Sequence, residues 1–127
     1  MKELIANGAD PLQKNDTGMT ALQFAAQGNQ PAIITYLIDY QNIGINETDN
    51  KKSSAVHWAI FNSNELALGF LLARKPLINN QDVQGLTPLH LAVSSAEGRG
   101  RSTILIRMLL MRGADPNICD NKGRLPL

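Results

Sequence analysis

A short pattern recurs at a nearly constant interval along this chain and limits the folds that the chain can adopt. It is carried by GMTALQFAA at 18–26, KSSAVHWAI at 52–60, GLTPLHLAV at 85–93 and a shortened GRLPL at 123–127. The slot after the hydroxyl N-cap position holds Ala21, Ala55, Pro88 and Pro126 in turn, and only the third interval is clearly longer than the others. Such self-similarity indicates a solenoid, in which each unit buries its apolar face against its neighbours.

A second motif gives the same period independently. NGADP at 7–11 returns as RGADPN at 112–117, and the separation of Gly8 from Gly113 along the chain equals that of Ala21 from Pro126. Two different motifs therefore define one repeat.

Each repeat has the signals of a helical hairpin followed by a turn. Hydroxyl side chains that can cap a first helix stand at Thr20, Ser54 and Thr87. The second helix carries an apolar stripe, whose members are Ile33, Ile34, Leu37 and Ile38, then Leu68, Leu71 and Leu72, then Ile106, Leu109 and Leu110. Turn formers crowd 115–123, where we expect an exposed hairpin loop.

These motifs together resemble the ankyrin repeat. The resemblance is carried by the period, TPLH at 87–90, GADPN at 113–117 and DVQG at 82–85. It implies an all-α repeat solenoid of stacked helix-turn-helix units with β-hairpin loops and a concave groove. The units divide the chain into 1–14 (the end of a partial repeat), 15–47, 48–80, 81–118 with an insertion at 94–102, and 119–127 (the start of a further repeat). Since both ends cut through a repeat, we expect a fragment of a longer ankyrin array.

Several positions depart from the family pattern. Lys52 stands where the family has a turn glycine, so either the turn changes or the residue adopts a left-handed conformation at a cost of about 1 kcal/mol. The second hairpin is therefore expected to be less regular. Gln23 replaces the family's histidine, Lys75-Pro76 replaces Gly-Ala, and the insertion is expected to form a mobile loop at the end of the helices away from the hairpin tips.

Composition excludes several classes of function. With 12 Lys and Arg against 11 Asp and Glu, the net charge of +1 gives no field that favours nucleic acid. No apolar run approaches the roughly 20 residues that span a bilayer, so we expect no direct membrane insertion by this segment. The first residues lack a secretory signal and Cys119 can form no internal disulfide, which favours an intracellular, cytoplasmic location.

The two histidines, His57 and His90, occupy the same repeat slot. For that slot the resemblance implies a structural role, namely hydrogen bonds to the neighbouring hydroxyl and to the adjacent loop. No Cys/His pair has metal-ligand spacing, and no nucleophile or acid–base arrangement is recognisable. We therefore expect no catalytic residue, no metal and no cofactor, and no enzyme within this segment.

Partner contacts are expected at the hairpin tips and the exposed ends of the first helices, where the family binds its partners. These positions are Asp16, Thr17, Met19, Gln27, Asn50, Lys51, Ser53, Phe61, Asn62, Val83, Gln84, Leu86 and Ser94. Among them Met19, Phe61, Val83 and Leu86 are apolar where solvent alone would favour polar residues. Trp58 has two interpretations, an oversized core residue or a partly exposed aromatic anchor on the groove wall.

The sequence leaves more than one function open. The first is a protein–protein interaction module that binds a peptide or protein domain. The second is a regulatory or substrate-recruiting segment of a larger membrane enzyme or of an ion channel; VHWA at 56–59 resembles the ankyrin arrays of the Asp-His-His-Cys protein acyltransferases. The third is a structural component of a larger assembly. Fold alone does not decide between them.

Overall fold

The computed structural model describes residues 14–41, 43–98 and 103–126, which contain three pairs of helices. The helices are α1 (Ala21–Gln27), α2 (Pro31–Thr35, continued by a π-helical turn over Tyr36–Tyr40), α3 (Ala55–Phe61), α4 (Glu65–Leu72), α5 (Pro88–Gly98) and α6 (Ile104–Met111). Four loops, called loops 1 to 4, comprise residues 15–19, 49–53, 82–86 and 120–124. Loops 1 to 3 precede α1, α3 and α5, and loop 4 follows α6.

The helices form two layers. The first helices pack in the order α1, α3, α5, and the second helices pack alongside them in the order α2, α4, α6. The largest of the fully buried apolar side chains are all leucine or isoleucine: Leu22, Ile34, Leu37, Ile60, Leu68, Leu71, Leu89 and Leu109. Because this core continues from one repeat into the next, the predicted all-α repeat solenoid is confirmed.

The N-caps follow the sequence signals. Thr20 and Ser54 each accept a hydrogen bond from the backbone N–H three residues later, and the side chain of that later residue bonds back to the N-cap backbone. These reciprocal bonds satisfy donors that a helix otherwise leaves free in its first turn.

The four loops repeat one turn. In each, the N–H of the first residue donates to the carbonyl of the fifth, and the N–H of the fourth donates to the carbonyl of the first. Oδ1 of the first residue accepts from the N–H groups of the third and fifth. That first residue is Asn15, Asp49, Asp82 or Asp120. Instead of extended hairpin strands, the described residues contain one isolated antiparallel bridge, between Thr48 and Ser54.

Loop 2 is as regular as the others, so the expectation of a less regular second hairpin was wrong. Lys52 has φ 61° and its N–H donates to the carbonyl of Asp49 at 3.0 Å, as the glycines of the other loops do. The left-handed alternative therefore holds. Oδ1 of Asp49, which bonds to the N–H groups of Lys51 and Ser53 at 2.9 Å, holds the turn in place against that strain.

Lys52 differs from Gly18 and Gly85 in the residue that follows it in the next loop. A Cβ on Gly18 or Gly85 would collide with the asparagine of the next loop, at 2.9 Å from the backbone nitrogen of Asn50 or 2.6 Å from that of Asn121. In the loop after Lys52, the corresponding residue is Val83, which has no amide group to lie over the turn.

The insertion in the third repeat lengthens a helix. Helix α5 has 11 residues, whereas α1 and α3 have seven each, so residues 94–98 are helical and the prediction of a loop was wrong for them. The segment contains no proline that would end the helix, and Ala96 favours a helical conformation. Residues 99–102, the rest of the predicted insertion, lie outside the described part of the chain, as do residues 1–13 of the partial repeat expected at 1–14.

Candidate functional site

The two histidines connect each first helix to the next loop. Nδ1 of His57 accepts from the backbone N–H of Ser54 at 3.2 Å, so the ring proton lies on Nε2, which donates to the carbonyl of Leu86 at 3.2 Å. His90 repeats the arrangement with the N–H of Thr87 at 3.1 Å and the carbonyl of Arg124 at 2.9 Å.

Gln23 makes the same connection without an imidazole. Its Oε1 accepts from the N–H of Thr20 at 2.9 Å, and its Nε2 donates to the carbonyl of Glu47 at 2.8 Å. The slot therefore requires an acceptor at one end of a side chain and a donor at the other. This requirement supports the structural interpretation of both histidines.

Burial keeps His57 uncharged. Its side chain is 1% exposed, and desolvation lowers the pKa of the imidazole below its usual range, against smaller opposing effects of the Leu86 carbonyl and the Asp82 carboxylate. A second ring proton would also face the N–H of Ser54, which is a donor.

A cleft of about 300 Å³ lies on the loop side of α3, between loops 2 and 3. Its lining is mainly apolar and aromatic, and consists of Lys51, Ser53, His57, Trp58, Phe61, Asp82, Val83, Gln84, Leu86 and Leu91. Seven of the predicted partner contacts meet here: Lys51, Ser53, Trp58, Phe61, Val83, Gln84 and Leu86. Concave apolar sites with a few polar groups are the usual form of a binding pocket.

Trp58 combines features of both interpretations. It is half-buried and packs against the core, yet it also lines the cleft. Its Nε1 donates to Oδ2 of Asp49 at 3.0 Å, and its ring meets that of Phe61 edge to face with centroids 5.9 Å apart. Trp58 is therefore a fixed aromatic wall of the cleft, whereas Phe61 is 57% exposed.

Met19 is only 7% exposed, so the prediction that it projects from a tip was wrong. Its backbone is held in the turn by Asn15, which donates its N–H to the Met19 carbonyl and accepts from the Met19 N–H through Oδ1. The flexible thioether packs against the protein from that fixed position. Met19 therefore offers little area to a partner.

The remaining predicted contacts lie outside the cleft. Asp16, Thr17 and Asn50 are exposed at the tips of loops 1 and 2, and Gln27 is exposed at the end of α1. Asn62 caps α3, donating from Nδ2 to the carbonyl of Trp58 at 3.2 Å. Ser94 lines a separate, shallower cleft beside loop 4.

Backbone bonds stack the loops on one another. The N–H groups of Asn50, Val83 and Asn121 each donate to a carbonyl of the preceding loop at 3.0 Å. Two of these residues add a side-chain bond, from Nδ2 of Asn50 to the Asp16 carbonyl at 3.2 Å and from Nδ2 of Asn121 to the Val83 carbonyl at 2.8 Å. Val83 has no amide to add, and its side chain is instead 48% exposed in the cleft.

Phe24 was not among the predicted partner contacts. This residue is 44% exposed, and in the first complete repeat it occupies the slot that Trp58 and Leu91 occupy in the second and third. The alignment of the three first helices would have identified it, since that slot is aromatic or aliphatic in every complete repeat.

The residues that the structure describes form neither a cluster of metal ligands nor a helix that could span a membrane. Across 14–41, 43–98 and 103–126, no three His, Cys, Asp or Glu side chains are close enough to hold a metal ion. The helices of those ranges are all too short or too polar to cross a bilayer. Cys119 is a free, exposed thiol.

Comparison with known proteins gives matches along almost the whole chain. The model for ankyrin repeats in three copies matches residues 1–82, and the model for a single ankyrin repeat matches residues 84–121. Inversin from Canis lupus familiaris is 28% identical over 131 aligned residues, which cover all of this chain and 12% of that protein.

Two further relatives match shorter stretches. Ankyrin repeat domain-containing protein 53 from Mus musculus is 34% identical over 82 residues, covering 61% of this chain and 16% of its own length. Palmitoyltransferase ZDHHC17 from Danio rerio is 34% identical over 75 residues, covering 58% of this chain and 12% of its own. The chain thus spans a small part of each of these relatives.

Proposed function

The chain belongs to the ankyrin repeat family, and on that premise we propose that it binds a peptide or a protein domain in the cleft between loops 2 and 3. Ankyrin repeats are protein-interaction modules. The observation that carries the proposal is the exposure of Phe61 and Val83 in one cleft beside the aromatic wall of Trp58. Buried aromatic contacts dominate the energetics of most protein interfaces.

The rigidity of the cleft supports this assignment. Asp49 holds the indole of Trp58, and the inter-loop bonds fix the backbone of Lys51 and Val83. A surface that is already ordered loses less conformational entropy when a partner binds. Binding in the cleft therefore loses less free energy to ordering than binding to a flexible loop, and more of the contact energy contributes to affinity.

We propose no catalysis for this segment. His57 and His90 use both ring nitrogens in structural hydrogen bonds, so neither is available as a base within the described fold. The intracellular, cytoplasmic location and the lack of nucleic-acid binding stay predictions.

A second candidate function is recruitment of substrates for a protein acyltransferase. It is favoured by the 34% identity to a palmitoyltransferase over 75 residues. The same cleft would then bind the proteins to be acylated, and the catalytic chemistry would belong to another part of the parent protein. An ion-channel parent and a purely structural role in an assembly stay predictions.

The proposal can be tested by selecting short random peptides from a display library on the full chain. The selected peptides are then measured on a cleft variant, Phe61→Ser with Val83→Ser. A matched control is Phe70→Ser with Leu77→Ser, which removes a phenylalanine and an aliphatic residue that are also exposed but do not line the cleft.

The peptides are expected to lose about tenfold or more in affinity on the cleft variant and to bind the control normally. Circular dichroism melting checks that both variants remain folded. Peptides that keep their affinity for the cleft variant and lose it for the control would place the binding surface around Phe70 and Leu77 and overturn the proposal.

A further inference from the structure

Asp82 carries a charge that the fold does not use. Its Oδ1 accepts from the N–H groups of Gln84 and Leu86, both at 2.9 Å, and this completes the turn of loop 3. No donor among the residues described in the structure contacts its Oδ2. The residue lines the cleft and is only partly buried.

The equivalent residues of the other loops use their second side-chain atom or do without the charge. Oδ2 of Asp49 accepts from Nε1 of Trp58 at 3.0 Å, and Oδ2 of Asp120 pairs with Nε of Arg124 at 2.8 Å. Loop 1 forms the same turn with Asn15, which has no charge. An amide is therefore sufficient for the turn, and the second carboxylate oxygen of Asp82 remains available to a ligand.

Aromatic rings stand in the same cleft as this carboxylate. Trp58 and Phe61 line it together with Asp82. The face of an aromatic ring attracts a cation, and a carboxylate accepts charge-assisted hydrogen bonds from one. This combination is suited to a cationic side chain.

Two other titratable groups line the cleft, Lys51 and His57. His57 is neutral, since its Nδ1 accepts a backbone hydrogen bond. Lys51 is exposed on loop 2 and makes no ion pair within the described residues. Its long, flexible side chain can extend into solvent while a second cation binds the carboxylate of Asp82.

We propose that the cleft accepts an arginine side chain of the partner, whose guanidinium donates to Oδ2 of Asp82 and stacks on the ring of Trp58 or Phe61. This inference rests on the proposed function and specifies the chemistry of its partner. Arginine fits better than lysine because the guanidinium is planar, stacks on aromatic faces and is more weakly hydrated.

The test is an NMR titration of the full chain with the peptide acetyl-Leu-Arg-Leu-amide. The reporters are the indole N–H of Trp58 and the amides of Gln84 and Leu86. The matched probe replaces arginine by citrulline, which keeps the shape and removes the charge. The arginine peptide is expected to shift the reporters saturably and to bind about threefold to tenfold more tightly than the citrulline peptide.

Asp82→Asn should lower the affinity for the arginine peptide to that for the citrulline peptide. The loop should remain intact, because Asn15 supports the same turn. Asp120→Asn, which removes an equivalent charge outside the cleft, should change neither affinity. Equal binding of the two peptides, or no effect of Asp82→Asn, would overturn the inference.

Lys51→Ala distinguishes an arginine from an acidic partner. Affinity for the arginine peptide should stay the same or rise, because a competing positive charge is removed. If a glutamate peptide instead binds best and loses affinity on Lys51→Ala, the site takes an anion and the inference is wrong. If library peptides need Phe61 and Val83 for binding but contain no arginine, the inference is wrong and the proposed function still holds.

Discussion

Nε2 of His57 lies 3.2 Å from the carbonyl oxygen of Leu86 and so joins helix α3 of one repeat to loop 3 of the next. Gln23 makes the corresponding bond to the segment that leads into loop 2, and His90 makes it to loop 4. This bond places the aromatic wall of α3 against loop 3, and the cleft lies between them. The stability of this junction depends on a titratable group.

His57 should make the fold lose stability in acid. Its pKa is lowered in the folded state from an ordinary value of 6.5, so the unfolded chain binds more protons as pH falls. The contribution of His57 to the free energy of unfolding is fully present at pH values above its unfolded pKa. It is lost as pH falls through 6.5 toward its folded pKa. His57→Gln should remove this part of the pH dependence, because Gln23 makes the same bonds without titrating.

Urea unfolding at about pH 7.5 and about pH 5 measures the effect. The wild-type chain should lose more free energy of unfolding between the two than the variant does. An equal loss in both chains would show that His57 does not couple folding to pH.

Lys52→Gly should stabilise the chain. Lys52 is held at φ 61°, where a side chain costs about 1 kcal/mol relative to glycine. Denaturant unfolding should therefore move to a higher midpoint. Gly85→Ala is the opposite control, since its Cβ would meet the backbone nitrogen of Asn121 at 2.6 Å and should lower the midpoint. A lower midpoint for Lys52→Gly would contradict the assigned strain.

The effect of Val83→Asn on the free energy of unfolding should depend on the residue at position 52. An asparagine here can clamp loop 3 onto loop 2, as Asn50 and Asn121 clamp their own loops, but its amide then lies where the side chain of Lys52 begins. The double variant with Lys52→Gly should be more stable than the sum of the single changes, by about 0.5 kcal/mol or more in a double-mutant cycle. Additive effects would mean that the two positions do not touch.

Truncation of Met19 should lower the free energy of unfolding more than truncation of Phe61. Met19→Ala removes a buried side chain and should cost about 2 kcal/mol or more of unfolding free energy, as Leu71→Ala should in the core. Phe61→Ser alters a side chain that is 57% exposed and should cost less than about 1 kcal/mol. Thermal and urea unfolding give both values. A large loss at Phe61 would mean that its ring supports the fold and does not serve a partner.

The sequence was sufficient for the features that repeat. The N-caps Thr20 and Ser54 and the apolar stripe of α4 follow from local chemistry recurring at one period, and the structural role of His57 follows from the resemblance to the ankyrin repeat. Such features depend on residues a helical turn apart, and one chain contains several copies of each. These features could be predicted because the same physical mechanism acts in every repeat.

The features that differ between repeats could not be predicted in this way. The burial of Met19 and the regular turn at Lys52 were not predicted from the pattern of a single repeat. The cleft forms where Phe61 of one repeat and Val83 of the next meet beside Trp58. It depends on the stacking of two units, which a pattern within one unit does not specify.

The assignment of the cleft as the binding site is tested by an NMR map of the chain bound to a peptide selected from the display library. This assignment predicts that the largest shifts fall on the indole N–H of Trp58, the chain's single tryptophan, and on the amides of Phe61, Val83 and Gln84, with little change on α4 or α6. Largest shifts on the second helices, with the Trp58 indole unmoved at saturation, would contradict it.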